Sequence, residues 1–282
     1  MLYDPPMLDT PRWEERTLDE LRTEVQARDW YHTIELAPGI VTPGWFDARP
    51  VAGELPMPSS LAGKRCLDVA TFDGFWAFEM ERRGAEEVVA IDLLNLGAAD
   101  WPPNTDPQTI EAIGRRKDAG RGFEIARDCL GSSVERHDMN VYDVDADALG
   151  TFDFVYLGSL LLHLRDPLKA LDRLHSVCRG ELLIVDSIDL WLSVLFRRRP
   201  VASLDVRGRP WWWTCNVAGI VRLVEAARFR VLEAPRRVFM PAGSGQPLPP
   251  LRPRMLFSDE GRKSALKRLR GDPHVALRVA AL

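Results

Sequence analysis

Short apolar runs alternate with helical stretches from residue 63 onward, and this alternation constrains the fold more than any other feature of the sequence. Residues 66–70 and 87–92 have the length and apolar character of buried strands, and residues 74–83 between them have helical spacing. Further strands are predicted at 134–138, 152–158, 182–186, 229–233 and 237–240, with helices at 167–178 and 217–227. The pattern predicts an α/β fold with a doubly wound, mainly parallel sheet covered by helices on both faces.

The two ends of the chain have a different character from this core. At the N-terminal end, Leu18, Leu21 and Val25 have helical spacing, and a Pro/Gly-rich segment at 38–58 predicts a surface loop. We therefore expect an extension and lid at 1–60, a core at 61–241 and a basic tail at 242–282, with a linker at 243–253 and a helix at 258–270. The strands at 229–233 and 237–240 are expected to pair antiparallel with each other.

Composition excludes several classes of protein. The chain has 282 residues, 46% of them hydrophobic and 28% charged, which is typical of a globular protein and not of a fibrous or disordered one. No apolar run approaches the roughly 18 residues that a membrane-spanning helix needs. Four cysteines without a C-x-x-C pair argue against a zinc site or a disulfide framework. We therefore expect a cytoplasmic protein with no bound metal and no membrane partner.

Charge is distributed unevenly along the chain. The net charge is -4, but the residues from 190 onward contain 18 Lys and Arg against 6 Asp and Glu, which leaves 19 against 35 for the residues before them. A basic C-terminal third favours an anionic partner, such as a phosphate, a carboxylate or a nucleic acid. The alternative is that the two sets of charges face each other or are solvated.

The turn after the first predicted strand has the residues of a nucleoside-binding site. Asp68 lies inside that strand, Gly74 ends the turn, and Asp92 ends the next strand. Asp92 at this position would accept hydrogen bonds from both ribose hydroxyls, and Gly74 would let the backbone approach the ligand. The structural alternatives are a helix cap for Asp92 and a carboxylate that holds loop amides for Asp68.

This turn resembles the first motif of class I S-adenosylmethionine-dependent methyltransferases, an acidic residue followed by G-x-G-x-G. Asp68 stands at the acidic position, while Ala70, Phe72 and Gly74 stand at the three glycine positions. The resemblance implies a Rossmann-like, seven-stranded sheet and S-adenosylmethionine as the cofactor.

Two polar side chains within the turn could replace lost backbone contacts. Thr71 and Asp73 are expected to hydrogen-bond to the amino acid part of the cofactor. A carboxylate at Asp73 would repel the pyrophosphate of a dinucleotide, whereas a cationic sulfonium tolerates it.

Two further stretches are similar to the broad group around the tRNA wobble-uridine 5-carboxymethoxy methyltransferases. They are residues 30–36 followed by 42–44, and residues 152–158 followed by 162–167, so the likeness covers roughly residues 30–190. It implies that the third strand ends beside the adenine and the fourth under the methyl donor. The residues assigned on this basis are Leu93, Asn140 and Val141 for the nucleoside, and Gly158 and Ser159 for the region of the methyl donor.

Candidate catalytic and acceptor-binding residues come from histidines and aromatic runs. His163 and His32 are candidate general bases, since a histidine titrates near neutral pH; the alternatives are a histidine satisfied by a backbone carbonyl and simple packing of the extension. The candidate acceptor-binding residues are Trp30, Tyr31, Arg209, Trp211 and Trp213, whose rings could stack on a planar substrate or pack inward.

The function predicted from these features is methyl transfer to an oxygen or nitrogen nucleophile of a small, planar or anionic metabolite. The first alternative is a methyltransferase that modifies the wobble uridine of tRNA, with residues 252–270 following the phosphates. The second is a non-catalytic cofactor-binding module, which the incomplete glycine pattern leaves open.

Overall fold

An eight-stranded sheet forms the centre of the protein, of which the computed structural model describes residues 17–206 and 208–282. The part of the predicted extension at residues 1–16 lies outside the described residues. The strands in chain order are β1 (Trp30–His32), β2 (Glu35–Ala37), β3 (Ile40–Val41), β4 (Gly44–Phe46), β5 (Arg65–Val69), β6 (Glu87–Asp92), β7 (Glu135–Asp138), β8 (Phe152–Gly158), β9 (Cys178–Ser187), β10 (Ala202–Leu204), β11 (Trp213–Cys215), β12 (Phe229–Val231), β13 (Arg236–Met240) and β14 (Asp272–Ala281). The α-helices are α1 (Leu18–Gln26), α2 (Phe75–Arg82), α3 (Pro107–Lys117), α4 (Arg121–Leu130), α5 (Ala146–Leu149), α6 (Pro167–Val177), α7 (Leu190–Leu195), α8 (Val217–Ala226) and α9 (Asp259–Arg270).

Five parallel strands, in the order β7, β6, β5, β8 and β9, form one side of the sheet. Strand β14 lies antiparallel beside β9, and its other edge pairs with both β12 and β13. Because β12 and β13 share that edge, the eight strands occupy seven positions. The strand order reverses at β5, and in such sheets ligands bind outside the carboxyl ends of the strands at the point of reversal.

Helices and the extension cover both faces of the sheet, which explains why its strands are continuous apolar runs. Leu67 in β5 and Val155 in β8 are completely buried. One face packs against α1, α2 and α4 together with the extension, and the other packs against α6 and α8.

Helix α1 contains the three apolar residues whose spacing predicts a helix, and it begins with a capping box. The Thr17 hydroxyl accepts from the Glu20 N–H at 3.2 Å, and the Glu20 carboxylate accepts from the Thr17 N–H at 3.0 Å, so the two residues form a capping box. Leu21 and Val25 are buried against the core, as their spacing predicts, whereas Leu18 is exposed.

The C-terminal part of the chain differs from the prediction. The strands β12 and β13 do not pair with each other, because each pairs with β14 instead. The boundary predicted at residue 242 is also wrong for the last strand, since β14 lies inside the sheet with Val275 and Leu277 completely buried.

The extension is joined to the core by backbone hydrogen bonds. The Asp47 N–H donates to the Pro241 carbonyl at 3.0 Å, and the Gly243 N–H donates to the Trp45 carbonyl at 2.9 Å. Strand β4 of the extension is therefore held by the segment that follows β13. Among the helices described, none combines the length and apolar character needed to cross a membrane.

Candidate functional site

A cavity of about 560 Å³ lies at the carboxyl ends of β5, β6 and β8. The extension, α3 and the start of β14 form its other walls. Its volume is within the range of roughly 300–1,000 Å³ that is usual for small-molecule sites. The predicted site residues on its wall are Tyr31, His32, Asp68, Ala70, Asp92, Leu93, Asn140, Val141, Gly158, Ser159, His163 and Trp211.

The turn after β5 keeps the backbone of a glycine-rich loop although two of its three positions carry side chains. The φ angle is +63° at Ala70, +49° at Phe72 and +89° at Gly74, so all three residues are in the left-handed region. At Gly74 a Cβ would lie 2.5 Å from the Phe78 ring, so only glycine fits there. The side chains of Ala70 and Phe72 therefore do not prevent the backbone from following this course.

Asp68 is a buried carboxylate on the cavity wall. It is 1% exposed, and it accepts a hydrogen bond of 2.6 Å from the Thr71 hydroxyl. Burial raises its pKa to about 7, the Thr71 hydrogen bond opposes this shift, and the nearby charge of Asp92 adds to it. Thr71, which we expected at the cofactor, is not on the cavity wall and supports Asp68 instead.

Asp73 also lies off the cavity wall and binds the extension. Its Oδ2 accepts from the Tyr31 N–H at 2.6 Å and from the His32 N–H at 2.9 Å. Burial raises its pKa to about 7, and these two hydrogen bonds oppose the shift. The geometry therefore gives Asp73 a role in joining β1 to the first turn, which differs from the cofactor contact predicted for it.

Asp92 ends β6 with its carboxylate on the cavity wall. It accepts from the Phe72 N–H at 2.9 Å and from the Leu93 N–H at 2.8 Å, and it forms a buried ion pair with Lys117 of α3. The Lys117 ammonium also lies 4.1 Å from the centroid of the Phe72 ring. On its other side that ring stacks with Tyr31, at 4.1 Å between centroids. Through Phe72, these contacts connect α3 to strand β1 of the extension beside the turn after β5.

Asn140 and Val141 follow β7 on the cavity wall, next to Leu93. The Asn140 side-chain oxygen accepts from the Tyr142 N–H at 3.0 Å, which holds the amide in place. Apolar side chains of Leu96 and Met139 line the same part of the wall. An apolar wall with one fixed amide is suited to a purine base.

The carboxyl ends of β8 and β9 lie next to His274, a residue that the sequence analysis did not select. His274 of β14 donates through Nδ1 to the Asp272 carbonyl at 2.9 Å, so its Nε2 accepts from the hydroxyls of Ser159, at 3.0 Å, and Ser187, at 3.2 Å. Burial lowers the pKa of His274, which favours the neutral imidazole.

The two predicted bases are both on the cavity wall, where His32 is buried and His163 is partly buried. His163 donates through Nδ1 to the Pro210 carbonyl at 2.6 Å, which leaves Nε2 as the basic nitrogen. Burial lowers its pKa to about 4. His32 packs edge-on against Tyr31, its Nδ1 has no hydrogen-bond partner among the described residues, and burial lowers its pKa to about 3.

Three of the predicted acceptor-binding residues lie away from the cavity. Trp30 is the first residue of β1 and is buried in the core, and Trp213 belongs to β11. Arg209 pairs with Asp205 and lies 4.4 Å from the ring centroid of Trp211, so it supports that ring from outside the cavity. Tyr31 and Trp211 are on the wall.

The cavity wall also contains residues that the sequence analysis did not select, and those with aromatic or basic side chains that matter most for the site are Trp45, Arg116, Lys117, Lys267 and His274. In the sequence, the only feature that could have pointed to Trp45 as a site residue is its position directly after residues 42–44, which belong to a stretch that carries the family resemblance. The other four come from segments whose place in the fold was not predicted.

Comparison with protein families identifies one match. The family described as "Methyltransferase domain" matches residues 47–232, which is more than half of the chain. No curated protein matches the sequence.

Solved structures share the fold at low identity. The N-terminal domain of EvdMO1 with S-adenosylhomocysteine (SAH) bound has 15% identity and a TM-score of 0.51, and 94% of this chain and 97% of that chain are covered. The same domain in the presence of SAH and D-fucose has 16% identity and a TM-score of 0.50 at the same coverage. An S-adenosylmethionine-dependent methyltransferase from Mesorhizobium loti has 13% identity and a TM-score of 0.43, with 82% of this chain and 95% of that chain covered.

Proposed function

Because this chain belongs to the methyltransferase domain family and is an S-adenosylmethionine-dependent methyltransferase, we propose that its acceptor is a small, planar or anionic metabolite with an oxygen or nitrogen nucleophile. The observation that carries this proposal is the character of the cavity wall. Aromatic rings of Tyr31, Trp45 and Trp211 face the same space as the cations Arg116 and Lys267. Aromatic walls suit a planar body, and cations suit an anionic group.

The first turn and the ends of β6, β7 and β8 fit the cofactor. The left-handed backbone of Ala70 and Phe72 brings the turn close to the cavity, and Asp92 presents a carboxylate where ribose hydroxyls need an acceptor. The residues proposed to hold the cofactor are Asp68, Ala70, Asp92, Leu93, Asn140, Val141, Gly158 and Ser159. Thr71, Asp73 and Gly74 are proposed to shape the turn without touching the ligand. Bound S-adenosylmethionine supplies an electrophilic methyl group on a cationic sulfur.

Asp92 would need one of its present partners to move. A carboxylate has about four lone-pair sites, and Phe72, Leu93 and Lys117 already use three of them. Both hydroxyls of a ribose can therefore be accepted only if one of these three donors moves away from Asp92.

We assign proton removal from the acceptor to a neutral imidazole. The carbonyl of Pro210 fixes the tautomer of His163 so that Nε2 carries the free lone pair. His274 has the same tautomer, but its Nε2 already faces two hydroxyls. His163 is therefore the proposed base, and His32, with no partner at Nδ1 among the described residues, is a proposed contact of the acceptor.

The alternative acceptor is tRNA, which the resemblance of residues 30–190 suggested. Against it, cations of the basic C-terminal third pair with acidic residues of the first two thirds. Arg228 pairs with Asp172, Lys263 with Asp189 and Arg278 with Glu181. Such pairing reduces the charge available to phosphates, and this favours the small acceptor.

Transfer of a labelled methyl group tests the proposal. The protein is incubated with methyl-labelled S-adenosylmethionine and either bulk tRNA or a metabolite extract freed of macromolecules. We expect label in the metabolite fraction, because the extension and α3 form walls around a cavity of small-molecule size. Label in tRNA, with tRNA binding that weakens steeply with salt, would overturn the choice of acceptor.

Asp92→Ala provides the matched test of the cofactor site. A hydrogen bond to a charged group contributes about 1.5–3 kcal/mol, so SAH should bind at least about tenfold more weakly in calorimetry. Asp138→Ala is the control, because Asp138 ends β7 as the register partner of Asp92 but is not on the cavity wall. Equal affinities of the two variants, both still folded, would remove Asp92 from the site.

A further inference from the structure

Arg116 is a cation on the cavity wall that has no ion pair of its own with the described residues; the Asp29 carboxylate acts on its charge but is itself paired with Arg115. It lies in the last turn of α3, and no hydrogen bond or ion pair of its guanidinium occurs within residues 17–206 and 208–282. Its two neighbours differ, since Arg115 pairs with Asp29 and Glu111, and Lys117 pairs with Asp92. A partly buried charge without an ion pair of its own is costly, so this guanidinium is poised for an anion that enters the cavity.

An aromatic ring fixes the orientation of Arg116. The guanidinium carbon lies 3.8 Å from the ring centroid of Trp45, which is the distance of a stacked pair. The Trp45 ring is itself held in place by Gln246. With the Gln246 amide oriented so that its oxygen points to the Trp45 indole N–H and to the Lys267 ammonium, that oxygen accepts a hydrogen bond from each, and the distance to the ammonium is 3.0 Å. A guanidinium stacked by its face keeps its in-plane N–H groups free for two parallel hydrogen bonds.

The charges around Arg116 favour a monoanion. Lys267 lies 5.9 Å from the same ring centroid, but its ammonium pairs with Asp272 at 2.7 Å. The carboxylates of Asp100 and Asp106 are also on the cavity wall. Lys117 is on the wall as well but pairs with Asp92, so among the described wall residues Arg116 is the cation without an ion pair. One such charge matches a carboxylate better than a phosphate, which carries about -1.5 to -2 at neutral pH.

We propose that Arg116, stacked on Trp45, is the recognition site for a carboxylate of the acceptor, so that the substrate class of this methyltransferase is a planar carboxylic acid. This inference rests on the proposed function, since it concerns the acceptor side of the same cavity. In it, Arg116 forms a bidentate pair with the carboxylate, and the aromatic wall holds the planar body near the carboxyl ends of the strands.

Calorimetry with the protein saturated with SAH tests the inference. The probes are 4-hydroxybenzoate, its neutral counterpart 4-hydroxybenzamide, and phenyl phosphate. We expect the wild type to bind the benzoate at least tenfold more tightly than the benzamide, and Arg116→Met to lose this preference while its affinity for SAH is unchanged. Arg115→Met is the matched control, because Arg115 is the preceding residue of the same helix and pairs at the surface; it should keep the preference.

Four results would overturn the inference. They are equal binding of benzoate and benzamide by the wild type, an equal loss in Arg115→Met, tighter binding of phenyl phosphate than of benzoate, and weaker binding of SAH but not of 5′-methylthioadenosine by Arg116→Met. The last result would show that Arg116 holds the carboxylate of the cofactor. Failure of the wild type to bind SAH would overturn the proposed function as well, whereas normal SAH binding without a preference for the benzoate would overturn this inference alone.

Discussion

Ala70 and Phe72 occupy left-handed backbone positions that a glycine-rich loop would fill with glycine. For a residue with a Cβ this conformation costs about 1–2 kcal/mol. Contacts compensate at Phe72, whose ring lies between Tyr31 and Lys117. The side chain of Ala70 is a single methyl group, so its strain has little to offset it.

Ala70→Gly should therefore stabilise the protein. We expect the free energy of unfolding to rise by about 1 kcal/mol, because glycine adopts a positive φ without strain. Denaturation in urea measures the change. Ala77→Gly, in the interior of α2, is the control and should lower the free energy of unfolding by about 1–2 kcal/mol, because glycine is unfavourable in a helix and a completely buried methyl group is lost. A loss of similar size in both variants would contradict the strain at Ala70.

At the scale of secondary-structure elements, the Asp73 carboxylate couples strand β1 to the turn after β5. Asp73 accepts from two consecutive N–H groups of β1, and Phe72 beside it stacks on Tyr31 of the same strand. The extension is therefore positioned by the turn that contacts the cofactor in our proposal. Motion of one element should be transmitted to the other.

Asp73→Ala tests this coupling. It leaves the buried N–H groups of Tyr31 and His32 without their acceptor, at a cost of about 1–3 kcal/mol. Hydrogen exchange should become faster at these two amides. Asp145→Ala, which removes the N-cap of α5 at a distance from the extension in sequence, should leave their exchange unchanged. Unchanged exchange in Asp73→Ala would show that β1 is held by its strand pairing alone.

Elements whose hydrophobic pattern is clear over a few residues could be predicted from the sequence, and the site residues on those elements were therefore predicted as well. Strands β6 and β8 have the predicted bounds, because their apolar runs are bounded by turn residues. Helix α3 was missed, since it has no buried residue and its apolar side chains are sparse. Arg116 and Lys117 could not be placed for the same reason: their position depends on how α3 closes over the sheet.

At the scale of the whole molecule, the last strand, β14, lies inside the sheet and not at its edge. Strand β14 separates β9 from β12 and β13, and it also carries His274 to the cavity. Its apolar run follows the basic helix α9, so composition alone assigned it to a tail. Only pairing with a strand about ninety residues away in sequence, as with Leu277 opposite Ile184, reveals its place in the core.

Truncation of one side chain in β14 distinguishes a core strand from a tail. Leu277 is completely buried between the helices and the sheet, whereas Leu282 is 76% exposed. Leu277→Ala should lower the free energy of unfolding by about 2–5 kcal/mol, since it removes buried methyl groups and leaves a cavity. Leu282→Ala should change it by less than about 0.5 kcal/mol. Urea denaturation of both variants measures the difference. If Leu277→Ala were as harmless as Leu282→Ala, the last strand would not belong to the cooperative core, and His274 would lose the support that holds it beside Ser159.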